Sequence, residues 1–363
     1  HIKSANSGAN GVSGAIGIFS GTASEGISGH IQIETGDSQR QSAGNITLAI
    51  GAGGCGLGGA IKLIAGTTFD EFTGGKINIK SGGSMHTTSG AVVISTADAG
   101  KAGVSGHVSM ITGTSSEGSS GEINIFSGNA TGGHAGSISL SVGNSDGMDS
   151  KNQINGGNIS IIAGNTTAKR GIGGSIRVLA GSGTSDNSAS GGRGGSVTIQ
   201  GGQAHGGDEL DIGGSIQISG GNAAMGTGGT IQIASGYSTF ASSGNINIFS
   251  SNSGENGVSG SVHLSTGTSS QGESGFVLIR TGRAVDGKAG GVALSVGTSG
   301  SGVGGDILLD SGSTSSDSTG GFIAIRTGKS IASTSGLVLL RTSEGGINGN
   351  SGTVILHSGN AHD

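Results

Sequence analysis

The stretch Ser28–Gly36 reads Ser-Gly-His-Ile-Gln-Ile-Glu-Thr-Gly, and its pattern returns from one end of the chain to the other. Two branched aliphatic residues alternate with polar ones between glycines, which is typical of a short, half-buried strand. Ile31, Ile33 and Thr35 are expected on the inner face of that strand, and the polar residues between them on the outer face. The chain is therefore interpreted as a repeat protein.

The spacing of the repeats defines their order. The first aliphatic of each repeat, here called the anchor, returns every 15 or 16 residues from Ile16 to Ile138 and again from Ile231 to Val354. Between these stretches the spacing widens, and the extra residues are expected in turns, because one inside a strand would reverse its faces. Every third repeat has an additional glycine in its turn, and the segment at Phe276 recurs at Phe322. The repeats therefore come in threes.

This threefold order predicts the fold. One repeat holds one short strand and cannot bury its apolar face alone. We expect an all-β, parallel β-solenoid (β-helix) with three strands in each coil of about 46 residues, about seven coils, and little or no helix. A flattened, two-sided coil of about 30 residues is the alternative, and the handedness stays open. Residues 1–363 are expected to form one continuous domain of about 22 repeats, whose uncapped ends suggest a longer array or end-to-end stacking of copies.

Glycine supplies 83 of the 363 residues and proline is absent, which fits an uninterrupted ladder of strands. The glycines that flank the strands, such as Gly14, Gly29, Gly44 and Gly59, are predicted to be structural, because corners need positive φ or leave no space for a Cβ atom. The third inward position is usually small, and a hydroxyl there, as in Thr35, is expected to bond to turn backbone or along the stack.

Charge and composition exclude several classes of partner. The net charge is −5 and the 17 basic residues are scattered, so no nucleic-acid partner is predicted. No apolar run approaches the length of a membrane span. Cys55 is the single cysteine, which excludes an internal disulfide and leaves open a link to another chain.

Residues able to carry chemistry are dispersed along the chain. Asp306 and Asp310 share a predicted outer face, and residues 208–211 (Asp-Glu-Leu-Asp) fill a long turn. Both sets are interpreted as solvated charge, with a calcium site as the alternative for the second. The nine histidines show no metal-ligand spacing, and no nucleophile motif joins a strand to a helix. No catalytic, cofactor-binding or metal-binding residue is predicted, and the protein is expected not to be an enzyme.

The last third of the chain carries several large apolar side chains on its predicted outer face, which marks an interaction surface. These residues are Phe276, Leu278, Leu308, Phe322, Leu337, Leu339 and Ile355. Four asparagines lie in Asn-x-Ser/Thr triplets and are candidate glycosylation acceptors. They are Asn45, Asn129, Asn158 and Asn165.

In the glycine-bounded repeat typified by Ser28–Gly36 and Phe276–Gly282, the chain resembles glycine/serine-rich parallel β-solenoid proteins of cell surfaces and extracellular filaments. The resemblance implies a non-catalytic structural protein, extracellular or on the cell surface, that forms or decorates a filament, sheath or appendage through solenoid stacking. Its expected partners are further copies of itself, other filament proteins or glycans. A carbohydrate-binding or carbohydrate-cleaving solenoid and an ice-binding or adhesin solenoid are the alternatives. No cofactor is expected.

Overall fold

The computed structural model describes residues 1–101, 103–146, 154–186, 191–208 and 210–360. The chain divides into two units, His1–Arg177 and Val178–Asp363. Within the described ranges neither unit contains an α-helix or a β-strand. The prediction of an all-β parallel β-solenoid is therefore wrong, in its three-sided and in its two-sided form. In the same part of the chain there is no helix with the length and apolar character needed to cross a membrane.

The predicted strands do not pair because the backbone hydrogen bonds of the described residues are all local. Strands of one solenoid face would exchange hydrogen bonds across a whole coil, which is about 46 residues of sequence. In the described residues, each backbone hydrogen bond joins positions 3 to 14 residues apart. The aliphatic residues stay open to solvent accordingly. The anchor Ile31 keeps 52% of its accessible surface and Ile33 keeps 69%.

The total accessible surface also shows that the aliphatic residues are not packed into a core. It is 37154 Å² for a chain of 34.4 kDa. A compact monomer of this mass exposes about 13,000 Å² and an unfolded chain about 50,000 Å². No hydrophobic residue is buried in the described part of either unit. The chain taken by itself therefore gains little of the hydrophobic stabilisation that a packed core provides.

We call the alternating stretch that begins at the anchor of each repeat, such as Ile31–Thr35, an aliphatic segment. Local order is concentrated where one aliphatic segment ends and the next begins. At these points the N–H of the glycine that opens a segment donates to the carbonyl of the glycine that closed the previous one, and the turn between them becomes a closed loop. We call such a glycine pair a neck. Necks with this hydrogen bond, 2.8–3.2 Å long, are Gly66–Gly75, Gly82–Gly90, Gly164–Gly174, Gly181–Gly195, Gly202–Gly214, Gly221–Gly229, Gly236–Gly244, Gly312–Gly321 and Gly328–Gly336.

Repeats of different length differ in the size of the loop that the neck closes. Gly82 and Gly90 are joined by a bond of 2.9 Å across a short loop, whereas Gly181 and Gly195 are joined by one of 2.8 Å across a loop that is six residues longer. The longer necks lie in the stretch where the anchors are widely spaced. The expectation that extra residues would lie in turns is confirmed at these positions.

Glycines that open a segment leave little room for a side chain. A Cβ atom on Gly59 would lie 2.7 Å from Cγ2 of Ile50, and one on Gly229 would lie 2.9 Å from the backbone nitrogen of Gly221. Gly44 is packed more loosely, with a Cβ contact of 3.4 Å to Thr35, whose Oγ1 donates to Gly44 O at 3.3 Å. The predicted steric role of Gly59 and the predicted bond from the small inward hydroxyl to turn backbone are both confirmed.

A serine two residues after the segment-closing glycine organises many of the loops. Its Oγ accepts a hydrogen bond from the backbone N–H three residues further on, at 2.9–3.1 Å. The serines are Ser38, Ser84, Ser115, Ser238, Ser269 and Ser330. A short polar side chain that bonds to backbone a few residues ahead stabilises a turn without regular structure. The motif Gly-x-Ser therefore has a local structural cause.

The aliphatic segments keep their alternation even without a sheet. The side chains of Gln32 and Glu34 meet at 2.7 Å, and those of Ser261 and His263 at 2.9 Å. Residues two apart lie on one side of a segment only if successive side chains point to opposite sides. The period of two is therefore a local property of these segments, and it does not depend on a neighbouring strand.

Candidate functional site

The predicted interaction surface lies entirely in the second unit, and each of its members is exposed. Phe276 keeps 83% and Phe322 84% of its accessible surface, and the remaining five residues are likewise open to solvent. Residues predicted to face inward are exposed as well, among them Ile279 and Leu340. Exposure therefore does not separate the two faces of these segments, and the assignment of an interaction surface to one of them stays a prediction.

A second group of apolar residues went unnoticed in the sequence. In five of the repeats, a valine or leucine stands four residues before the anchor and directly after a glycine, and it is almost completely exposed, at 95–103%. We call these residues the corner aliphatics. They are Val12, Leu57 and Val104 in the first unit and Val258 and Val303 in the second. Two features of the sequence could have identified them: the glycine that precedes each one and the fixed distance of four residues to the anchor.

Local turn geometry presents the corner aliphatics to solvent. The glycine before Val12, Val104 or Val258 donates its N–H to the glycine three residues earlier, at 3.1–3.3 Å, which closes a tight turn. Before Leu57 and Val303 the glycine instead adopts a positive φ, +94° at Gly56 and +87° at Gly302. Both conformations favour glycine and end in a side chain that points away from the loop. At these five corners the local turn geometry thus exposes an apolar side chain.

The acidic turn at residues 208–211 uses its carboxylates locally. Asp208 Oδ1 accepts from the N–H of Leu210 at 3.0 Å, and Asp211 Oδ2 accepts from the N–H of Asp208 at 3.1 Å. Residue 209 lies outside the described residues. Carboxylates engaged in this way stabilise their own turn. Asp306 and Asp310, the other acidic pair, are both exposed.

Among the described residues there is no group of three or more His, Cys, Asp or Glu side chains that could hold a metal ion. His263 bonds through Nε2 to the hydroxyl of Ser261, and His30 and His107 are exposed. A shallow concavity of about 300 Å³ lies along Arg341–Glu344, four consecutive residues of one segment and its turn. A depression formed by consecutive residues brings no distant groups together, and so it offers no catalytic constellation.

The candidate modification sites are accessible. All four sequon asparagines are exposed, and they fall into two settings. Asn129 and Asn165 follow a segment-closing glycine and lie in loops, whereas Asn45 and Asn158 directly precede an anchor. Cys55 is a free, exposed thiol in the loop that ends at Leu57. Glycosylation and a link through Cys55 both stay predictions.

No family model, curated protein or solved structure matches the chain. Its function therefore has to be argued from its own residues, their exposure and their local bonds.

Proposed function

We propose that this chain is a non-catalytic structural protein that associates with other copies of itself to form or decorate an extracellular filament, sheath or appendage. The observation that carries the proposal is that the aliphatic residues of repeat after repeat stay open to solvent. Exposed apolar surface on this scale marks a protein that is completed by association.

The energetics favour association. Full burial of one large aliphatic side chain is worth about 1.5–3 kcal/mol, and Ile31 and Ile33 each keep more than half of their surface exposed. Completing the burial of such a pair therefore contributes on the order of 2 kcal/mol per repeat. Summed over the repeats, this exceeds the roughly 4–15 kcal/mol that association costs in lost translational and rotational freedom.

The repetition of one pattern also favours an extended assembly over a closed dimer. A chain that presents the same apolar motif many times can bind a further copy at a shifted position, and contacts of this kind do not close on themselves. Other filament proteins or glycans are compatible partners of the exposed surface. The resemblance to glycine/serine-rich proteins of cell surfaces and the accessible sequons support a location outside the cell.

The test is the oligomeric state of the native chain, measured by sedimentation velocity over a wide range of concentrations and by electron microscopy of the concentrated sample. We expect species that grow with concentration and elongated particles. The double variant Phe276→Thr with Phe322→Thr removes the two largest side chains of the predicted interaction surface. Because each phenylalanine is worth about 1.5–3 kcal/mol when buried, assembly should weaken roughly tenfold or more.

A matched control is the double variant Phe69→Thr with Phe240→Thr. These phenylalanines are even more exposed, but they lie in loops outside the predicted surface. Assembly by the control variant should be close to that of the native chain. If both double variants weaken assembly equally, the predicted surface has no special role. A native chain that stays monomeric at every concentration would refute the proposal. Binding of a polysaccharide by that monomer would support the carbohydrate-binding alternative.

A further inference from the structure

The chain contains four Asn-Gly pairs, and one of them differs from the other three in its hydrogen bonds. The pairs are Asn10-Gly11, Asn155-Gly156, Asn256-Gly257 and Asn348-Gly349. In such a pair the backbone nitrogen of the glycine can attack Cγ of the asparagine side chain. Ammonia leaves, a five-membered succinimide forms, and water then opens it to aspartate or isoaspartate. Glycine favours the attack because it has no Cβ atom to obstruct the approach.

Three of the four glycine nitrogens are held in tight turns. Gly11 donates its N–H to Gly8 O at 3.2 Å, Gly257 to Gly254 O at 3.3 Å, and Gly349 to Gly346 O at 3.0 Å. The attacking nitrogen must lose its proton and turn toward the asparagine side chain. A hydrogen bond from that N–H to a carbonyl opposes both changes, because it must first be broken.

Gly156 has no such restraint. Its N–H donates to no acceptor in the described part of the chain, and a Cβ built on Gly156 would meet nothing within 4 Å. The other end of the same peptide group is engaged instead, since the Ser145 hydroxyl donates to Asn155 O at 3.3 Å. A hydrogen bond accepted by the carbonyl polarises the peptide and makes its N–H more acidic. Asn155 and Gly156 are also exposed, so that water reaches the succinimide.

We propose that Asn155 is a site of spontaneous deamidation, selected among the four Asn-Gly pairs by the free N–H of Gly156 and the bond from Ser145. The product carries one more negative charge in a chain whose net charge is −5. The reaction consumes water and releases ammonia, and no oxidant or enzyme takes part. This inference does not depend on the assembly proposed above.

The experiment is incubation of the full chain at mildly alkaline pH, followed by digestion and mass spectrometry of the four peptides. The conversion of amide to acid is measured at each asparagine. We expect Asn155 to react roughly 2- to 10-fold faster than the other three, since their glycine nitrogens must each break one exposed hydrogen bond. Ser145→Ala should slow the reaction at Asn155 and leave the other three sites unchanged. In concentrated urea the four rates should converge.

Two results would overturn the inference. One is that Asn155 reacts no faster than Asn10, Asn256 and Asn348 in the native chain. The other is that the same order of rates persists in urea, because the neighbouring sequence and not the hydrogen bonds would then set the rates. The four sites are read in one sample, so the three turn asparagines serve as internal controls for folding and for reaction conditions.

Discussion

Replacing Gly229 by alanine tests whether the necks hold the loops closed. The new Cβ would lie 2.9 Å from the backbone nitrogen of Gly221, well inside the ordinary contact distance of about 3.5–4.0 Å. Gly221 also accepts the neck hydrogen bond from Gly229 N at 2.8 Å. A backbone atom cannot rotate out of the way as a side chain can, so the neck has to widen.

The size of the effect follows from two contributions. Overpacking costs typically about 1–3 kcal/mol, and loss of the neck bond costs about 0.5–1.5 kcal/mol. The loop between Gly221 and Gly229 is exposed and can adjust its backbone. We therefore expect the closed loop to lose about 2 kcal/mol of stability, in the lower part of the combined range. Opening of this loop should then become roughly 30-fold more frequent. Hydrogen exchange followed by mass spectrometry of the peptide 221–229 measures that change.

Glycines next to this neck supply the controls. A Cβ on Gly221 would meet nothing within 4 Å, and one on Gly228 would lie at an ordinary 3.5 Å from Gly221 O. Alanine at either position should leave exchange unchanged, or slow it by stabilising the chain by about 0.4–1 kcal/mol. Gly220→Ala should match Gly229→Ala, because its Cβ would collide with Gly229 O from the opposite side. If alanine at 228 and at 229 gave the same exchange rate, the steric argument for the necks would be wrong.

Two further variants test the loops. Ser238→Ala removes the oxygen that accepts from the N–H of Ala241 at 2.9 Å, so hydrogen exchange at Ala241 should rise roughly 2- to 10-fold. The control is Ser242→Ala, because the Ser242 hydroxyl makes no hydrogen bond in the described part of the chain. Equal exchange rates in the two variants would exclude a role for Ser238. Gly56→Ala places a side chain at φ +94°, which costs about 1–2 kcal/mol. Residues 55–57 should therefore leave this conformation and change their NMR backbone chemical shifts, whereas Gly54→Ala, in open space, should leave those shifts unchanged. Unchanged shifts in both variants would show that the left-handed conformation is dispensable.

The sequence was informative about structure that depends on near neighbours. The role of Gly59, the bond from Thr35 to Gly44, and the location of extra residues in loops all involve atoms within about one repeat, and the repeat pattern contains that information. The fold class was not predictable in the same way. Alternation at Ile31 and Ile33 shows that a segment has two different faces, but it does not say what covers the apolar one. Pairing of strands depends on hydrogen bonds to residues about 46 positions away in sequence, and the described part of the structure forms none of these bonds.

The candidate site shows the same division. The exposure of Phe276 and Phe322 agrees with their predicted position, but the prediction assumed that the opposite face was covered, and Ile279 is exposed too. The corner aliphatics were not predicted because a single valine after glycine, as at Val12, is an ordinary turn residue when it is considered alone. Their common distance to the anchor becomes evident only when equivalent repeats are aligned with each other.

Closure at a neck makes a loop tolerant of insertion. The Gly82–Gly90 and Gly181–Gly195 loops differ by six residues, yet their closing bonds have nearly the same length. The entropy cost of closing the longer loop is only about 0.5 kcal/mol greater. A foreign peptide of similar length placed after Gln203, inside the Gly202–Gly214 loop, should therefore be displayed without disturbing the repeats on either side. The chain is in this respect a scaffold for presenting short epitopes in the loops that necks close.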